Sequence, residues 1–206
     1  TCDDTVREKV TCDDTGRKDN LMNSYERMQS GQYYLPEDPE LKEIQFQAML
    51  LMEEYNRTLP TERKKREELI PKMLGKAGTG INIETPIHCN WGGKHLDVGN
   101  NVYINFSLTC VDDEWIHIGD GTMFGPNVTL ITASHPLDPR LRAQGLQRNL
   151  PISIGKNCWI SSGVTVFQGV SIGDNSVIGA GSIVTHDIPA NVLAYGIPCK
   201  VIRSLK

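Results

Sequence analysis

From residue 98 onward an apolar residue recurs every six positions, and few folds can use that period. Val98, Ile104 and Cys110, then Ile118, Phe124 and Leu130, then Ile154, Ile160, Val166, Ile172, Ile178 and Val184 mark it. Hydrophobic residues make up 39% of the chain, so filling all twelve places by chance has odds of about 10⁻⁵ before allowing for the choice of register. Three residues after ten of these positions stands Gly, Asn or Asp: Asn101, Asp113, Gly121, Asn127, Asn157, Gly163, Gly169, Asn175, Gly181 and Asp187. These residue types accept positive φ, so each hexad reads as a short strand ended by a left-handed corner. Three hexads close a triangular turn of about 18 residues whose neighbours satisfy each other's backbone groups. The expected fold is mainly β, a parallel β-helix.

The two hexads without such a corner residue have Ser107 and Ala133 there, and they contain Asn105 and His135. Local rules tend to fail at functional sites, which singles these two out. The period also breaks from about 132 to 153, where Pro136, Pro139 and Gly145 favour a loop extruded from the coil. A connection of that length is expected to serve a site.

Upstream the texture is different. Residues 1–22 form a polar leader in which Thr1 to Thr5 is echoed by Thr11 to Thr15. Residues 23–78 read as a helical region, with Leu41, Ile44, Ala48, Leu51 and Tyr55 at helical spacing and Asp38-Pro39 as cap and first-turn proline. The alternating charges from Thr61 to Glu68 read as a solvated helix face. The coil is assigned to 79–190, with its loop near 132–153, and a tail to 191–206.

With 21 Lys and Arg against 25 Asp and Glu, the net charge of −4 offers no footprint for nucleic acid. No apolar run approaches the roughly 18 residues of a membrane span. Cys2, Cys12, Cys89, Cys110, Cys158 and Cys199 show no C-x-x-C spacing, and Cys110, Cys158 and Cys199 read as small apolar fillers. Free thiols and an N-terminus without an apolar signal core point to a cytoplasmic protein. Neither a P-loop nor a dinucleotide fingerprint is present.

Several longer motifs narrow the choice: Gly31-x-x-Tyr34 with Asp38, Ile104-Asn-Phe, Ile118-Gly-Asp-Gly, Thr132-Ala-x-His-Pro-Leu-Asp-Pro, Ile154-Gly-x-Asn-x-Trp-Ile, Gly179-Ala-Gly-Ser-Ile-Val-Thr and Gly196-Ile-Pro-Cys-Lys-Val-Ile-Arg. From about Ser24 to Arg203 the chain resembles the maltose and galactoside O-acetyltransferases of the hexapeptide-repeat superfamily. The resemblance implies a left-handed coil, an exception to the usual right-handed crossover. It also implies a homotrimer that carries acetyl from acetyl-CoA to a hydroxyl of a maltose-, glucose- or galactoside-type sugar, in clefts between subunits and without a metal.

A sugar hydroxyl is a poor nucleophile and needs a base that titrates near neutrality. The resemblance puts the catalytic histidine at His135 and the oxyanion donor at the backbone N–H of Ser162. It assigns Asn105 to the sugar, with Asp113 and Tyr103 in the same pocket and Asn90 where relatives carry Asp or Ser. Asp38 is a further sugar candidate; some relatives carry that Asp two residues earlier, where this chain has Pro36. For acetyl-CoA it implies Trp159 against the pantetheine or adenine, Ala180 and Thr185 on the coil edges, and Lys200 with Arg203 at the phosphates.

Other readings stay open at this level. His88, His95, His117 and His135 would suffice for a metal enzyme of γ-carbonic anhydrase type. A trimer that has lost activity is another, and serine, a lipo-oligosaccharide or an antibiotic are alternative hydroxyl acceptors.

Overall fold

The computed structural model describes residues 22–205, so the leader other than Met22 lies outside the described residues. From Lys76 the chain winds into a parallel β-helix with three faces. The first face stacks Lys76–Ala77, Leu96–Val98, Ile116–Ile118, Ile152–Ile154 and Ser171–Ile172. The second stacks Asn82–Ile83, Tyr103–Ile104, Met123–Phe124, Trp159–Ile160, Val177–Ile178 and Val192–Tyr195. The third stacks His88–Cys89, Thr109–Val111, Thr129–Ile131, Thr165–Val166 and Ile183–Val184.

All twelve repeat positions point inward, and none is more than 3% exposed. The interior ladder starts one coil earlier than the hexad spacing shows, because buried Ile83 and Cys89 pair in register with Ile104 and Cys110, while Ala77, paired with Val98, is exposed at the open end of the coil. Eight of the ten expected corners adopt φ between 52° and 75°; Asp113 and Asp187 do not. Ser107 does, at φ 60°, although its residue type argues against it. Its N–H donates to Pro86 O of the preceding coil at 2.9 Å, so pairing between coils overrides a local cost of roughly 1–2 kcal/mol.

One edge of the prism departs from the repeat. Three residues separate inward Ile104 from inward Leu108 across the edge between the second and third faces. Across the edge between the third and first faces the gap widens to six between Cys89 and Leu96, five between Cys110 and Ile116, and twenty-one between Leu130 and Ile152. Three successive coils therefore bulge on one edge. The longest bulge is the extruded loop, in which Ala133–Ser134 pairs antiparallel with Arg148–Asn149 around a short helix, Pro139–Arg142, capped by Asp138.

Three helices cover the start of the coil: α1 (Ser24–Met28), α2 (Pro39–Asn56) and α3 (Arg63–Met73). Asp38 caps α2 through Glu40 N–H at 2.9 Å, with Pro39 in its first turn. The buried stripe of α2 is Leu41, Gln45, Met52 and Tyr55, while Ile44, Ala48 and Leu51 are only half-buried beside it. Tyr55 donates to Ile83 O at 2.7 Å, which ties the helix to the first coil. The alternating charges of α3 are not all solvated, because Arg66 is buried. Its guanidinium donates to Thr58 Oγ1 at 2.8 Å and Thr85 Oγ1 at 3.1 Å and lies over the Tyr55 ring. At the other end, Val192–Tyr195 and Lys200–Ser204 form an antiparallel pair on the second face.

The inward and outward positions of one strand should respond very differently to truncation. Ile154→Ala is expected to cost about 2–5 kcal/mol in chemical denaturation, whereas its outward neighbour Ser153→Ala stays within roughly 0.5 kcal/mol. Equal losses would contradict the inward ladder.

Candidate active site

The bulged edge brings together side chains that are far apart in the chain. Asp113, 4% exposed, is their hub. Its Oδ2 accepts from Asn90 Nδ2 at 2.9 Å, and its Oδ1 accepts from Gln147 Nε2 at 3.1 Å, Trp91 Nε1 at 3.2 Å and Tyr34 OH at 3.4 Å. The first bulge supplies Asn90 and Trp91, the second Asp113, and the third Gln147. Tyr34 arrives from the segment before α2, which pairs with the loop through Tyr34 N–H to Gln147 O at 2.9 Å and Gln147 N–H to Tyr34 O at 3.0 Å. Burial and the Asp113 charge push the Tyr34 phenol well above its ordinary value, so it stays protonated and able to donate.

Next to this hub opens a cavity of about 290 Å³ that has His135, Asp113 and Asn90 on its wall beside Pro36, Gln45 and Gln147. The His135 ring is exposed at the surface of the single chain, and its Nδ1 lies 3.0 Å from Leu146 O. A carbonyl only accepts, so Nδ1 carries the proton and Nε2 keeps its lone pair. That tautomer can take a proton from a hydroxyl held in the cavity.

Behind the cavity lies a second set of titratable groups. Asp112 is fully buried; its two oxygens accept from Trp91 N–H at 2.7 Å and Gly93 N–H at 3.1 Å. Burial pushes its carboxyl up to about 7, with the two N–H groups acting in the opposite sense. His95 is also buried, with Nδ1 donating to Asp112 O at 2.6 Å and Nε2 accepting from Tyr25 OH at 2.7 Å; desolvation lowers it to about 4, so it is neutral.

The remaining sequence candidates lie elsewhere on the prism. Asp38 does not line the cavity: its carboxylate caps α2 and accepts from Ser24 Oγ at 2.6 Å, which holds it below the usual carboxylate range. Pro36 and Glu37 face the cavity in its place. Tyr103 and Trp159 project outward from the second face, in rows on either side of Met123. Asn105, Ser162 and Ala180 stand where that face turns toward the third, one edge away from His135. There Asn105 Oδ1 takes the Phe106 N–H at 2.8 Å, while the Ser162 and Ala180 N–H groups have no acceptor among the described residues. Thr185 lies on the bulged edge two coils beyond the loop, bonded to His186 Nδ1 at 2.9 Å. Lys200 and Arg203 are exposed on the terminal antiparallel strand.

One chain thus joins His135, Asp113 and Asn90, and keeps them apart from Asn105, Tyr103, Ser162 and Trp159. Nothing in the spacing of Gln45, Gln147 and Asn149 separates them from surface polar residues; Gln45 turns inward on the buried face of α2, donating to Asn90 O at 2.9 Å, and Gln147 and Asn149 turn inward where the loop meets Tyr34. The four histidines do not converge. His95 is in the buried set, His117 pairs with Asp97 at 3.1 Å on the first face, and His88 is exposed on the third. Among the described residues no group of three metal-ligating side chains forms, and no helix is long and apolar enough to cross a membrane.

The comparisons with known proteins agree with this fold. Residues 27–78 match the maltose acetyltransferase hexapeptide capping motif, and residues 151–186 match the hexapeptide repeat of succinyl-transferase. A galactoside O-acetyltransferase of Lactococcus lactis subsp. lactis (strain IL1403) is 46% identical over 184 residues, covering 89% of each chain. The crystal structure of a maltose O-acetyltransferase from Clostridium difficile 630 superposes with a TM-score of 0.88 at 41% identity, over 91% of this chain and 100% of that one. A galactoside acetyltransferase in complex with coenzyme A gives 0.86 at 44% identity, over 90% and 92%. With this coil, this capping region and relatives of such identity along nearly its whole length, the chain belongs to the maltose and galactoside O-acetyltransferase family of hexapeptide-repeat acetyltransferases.

Proposed function

We propose that this enzyme transfers an acetyl group from acetyl-CoA directly to a hydroxyl of a maltose-, glucose- or galactoside-type sugar, with His135 as general base. The carrying observation is the His135 ring itself: Leu146 O holds the proton on Nδ1, leaving a basic Nε2 on the wall of a polar cavity shared with Asp113 and Asn90. The acceptor hydroxyl gives its proton to Nε2 as its oxygen attacks the thioester carbonyl. A tetrahedral oxyanion forms, and the outward N–H of Ser162 is the donor for it. Collapse breaks the C–S bond, and the imidazolium returns its proton to the departing CoA thiolate. The balance needs no metal and no acyl-enzyme.

Asp113 and Asn90 hold the sugar, with Asn105 and Tyr103 contributing from the other edge. Because those two edges of a single prism face different ways, the complete site needs a second copy: in a closed ring of three, the His135 edge of one subunit meets the Ser162 edge of the next. Trp159, Ala180, Thr185, Lys200 and Arg203 then receive acetyl-CoA along that seam. Asp38 acts on the sugar only indirectly, by fixing the start of α2 beside Pro36. A cytoplasmic location follows from the same reading, in which Cys89, Cys110, Cys158 and Cys199 remain free thiols.

Thiol release from acetyl-CoA, assayed with maltose, glucose, galactosides and serine, identifies the acceptor class; activity with serine alone would replace the sugar reading. His135→Ala is expected to lower turnover at least about 10²-fold while leaving the particle size unchanged. Retained turnover would remove His135 from the mechanism. The shared seam has its own test. Asn105→Ala and His135→Ala chains, unfolded and reassembled together, should recover activity at about a quarter of the sites by random assortment in a closed ring. No recovery in particles of trimer mass would place both residues in one subunit's site.

A further inference from the structure

Within the proposed acceptor site, one buried side chain has a role that the transfer mechanism does not use. The turn Asn90 to Gly93 carries two of the groups bonded to Asp113, and its own backbone is short of partners. Asn90 N–H is satisfied by Cys110 O at 2.9 Å, the last ladder bond before the first bulge leaves the coil register. Gly92 N–H then folds back to Cys89 O at 3.1 Å, and Lys94 N–H to Trp91 O at 3.0 Å. Trp91 N–H and Gly93 N–H point into the coil, where the widened edge provides no strand carbonyl at their level. Both end on the Asp112 carboxylate, one on each oxygen. Two buried donors from one tight turn require two acceptors, and a carboxylate supplies both from a single side chain.

We propose that Asp112 is a positioning residue for acceptor binding, whose carboxylate clamps the Asn90–Gly93 turn so that Asn90 and Trp91 hold Asp113 toward the cavity. This rests on the acceptor reading above. The geometry adds a second constraint on the same turn. Gly92 has φ +62°, and a Cβ there would stand 2.3 Å from Ala48 O of α2, so the turn is pressed between the helix and Asp112 and has little freedom to find other partners. His95, three residues beyond Gly92, donates to Asp112 O at 2.6 Å and fixes the main chain on the other side. Asp112 and Asp113 therefore divide the work of one corner: one faces the backbone of the neighbouring bulge, the other its side chains and the cavity.

Asparagine is the informative replacement. It keeps the shape but offers one acceptor and sets an NH₂ group against a backbone donor, leaving a buried N–H without a partner. In Asp112→Asn the acceptor KM is expected to rise at least about tenfold, with the KM for acetyl-CoA and the particle size unchanged, the scale of one lost buried hydrogen bond. An unchanged acceptor KM in a folded variant overturns the inference, and so does an equal rise in both KM values. Amide hydrogen exchange provides a second arm that needs no turnover and no variant. In the unsubstituted protein Trp91 and Gly93 N–H should exchange as slowly as ladder amides such as Ser161, which donates to Ile178 O at 3.0 Å. Fast exchange at either removes the clamp. If no sugar accepts acetyl, the functional reading fails, while slow or fast exchange still decides whether Asp112 holds the turn.

Discussion

Everything in this molecule is subordinate to the pairing of each coil with the coils before and after it. The strands are only two or three residues long on most faces, too short to persist alone, and their N–H and C=O groups are completed in both directions along the axis. An extra residue inside a strand would move every later side chain to the opposite face and expose the ladder. Extra residues are therefore admissible only at the edges, where the register ends. The protein uses a single edge for them in three consecutive coils, and that edge holds the His135 cavity.

The bulges carry a cost, because their backbone leaves the ladder and loses its ready partners. Much of the polar chemistry behind the cavity answers that loss. Thr132 Oγ1 accepts from Glu114 N–H at 3.0 Å and donates to Val111 O at 2.7 Å, joining the third bulge to the second. Asn149 donates to Met28 O at 3.0 Å and to Tyr34 OH at 3.1 Å, joining the loop to the N-terminal segment. Burying carboxylates such as Asp112 and Asp113 is expensive unless each oxygen is engaged, and here both are engaged by groups from neighbouring bulges. The groups that satisfy the loops are thus largely the same groups that shape the site.

Legibility in the sequence followed chemistry that repeats. The twelve apolar positions and eight of the ten corners were readable because each coil imposes the same demand on its residue types. By that rule Asp113 is a corner residue, yet it is a buried hub without left-handed φ, since its corner is wider than a hexad. The charge pattern puts Arg66 on a solvated face, yet it is buried, because the Tyr55 ring and Thr58 at the end of α2 and Thr85 of the first coil converge on it from two separate segments. Ser107 breaks the rule by residue type, yet the neighbouring coil imposes the corner on it regardless.

The one-dimensional pattern alone determined that this chain is a triangular coil with a helical start and a loop thrown out after Leu130, because periodicity and turn chemistry act between residues close in sequence. His135 and Asn105 were marked by the breaks in that pattern. Only the tertiary structure decided that the extra residues of three coils stack on one edge, that Tyr34 and Gln147 pair across more than a hundred residues, and that Asp38, a cap already legible in the sequence, stays off the cavity wall. Those outcomes depend on which segments become neighbours when the coils stack, and no local preference encodes that proximity.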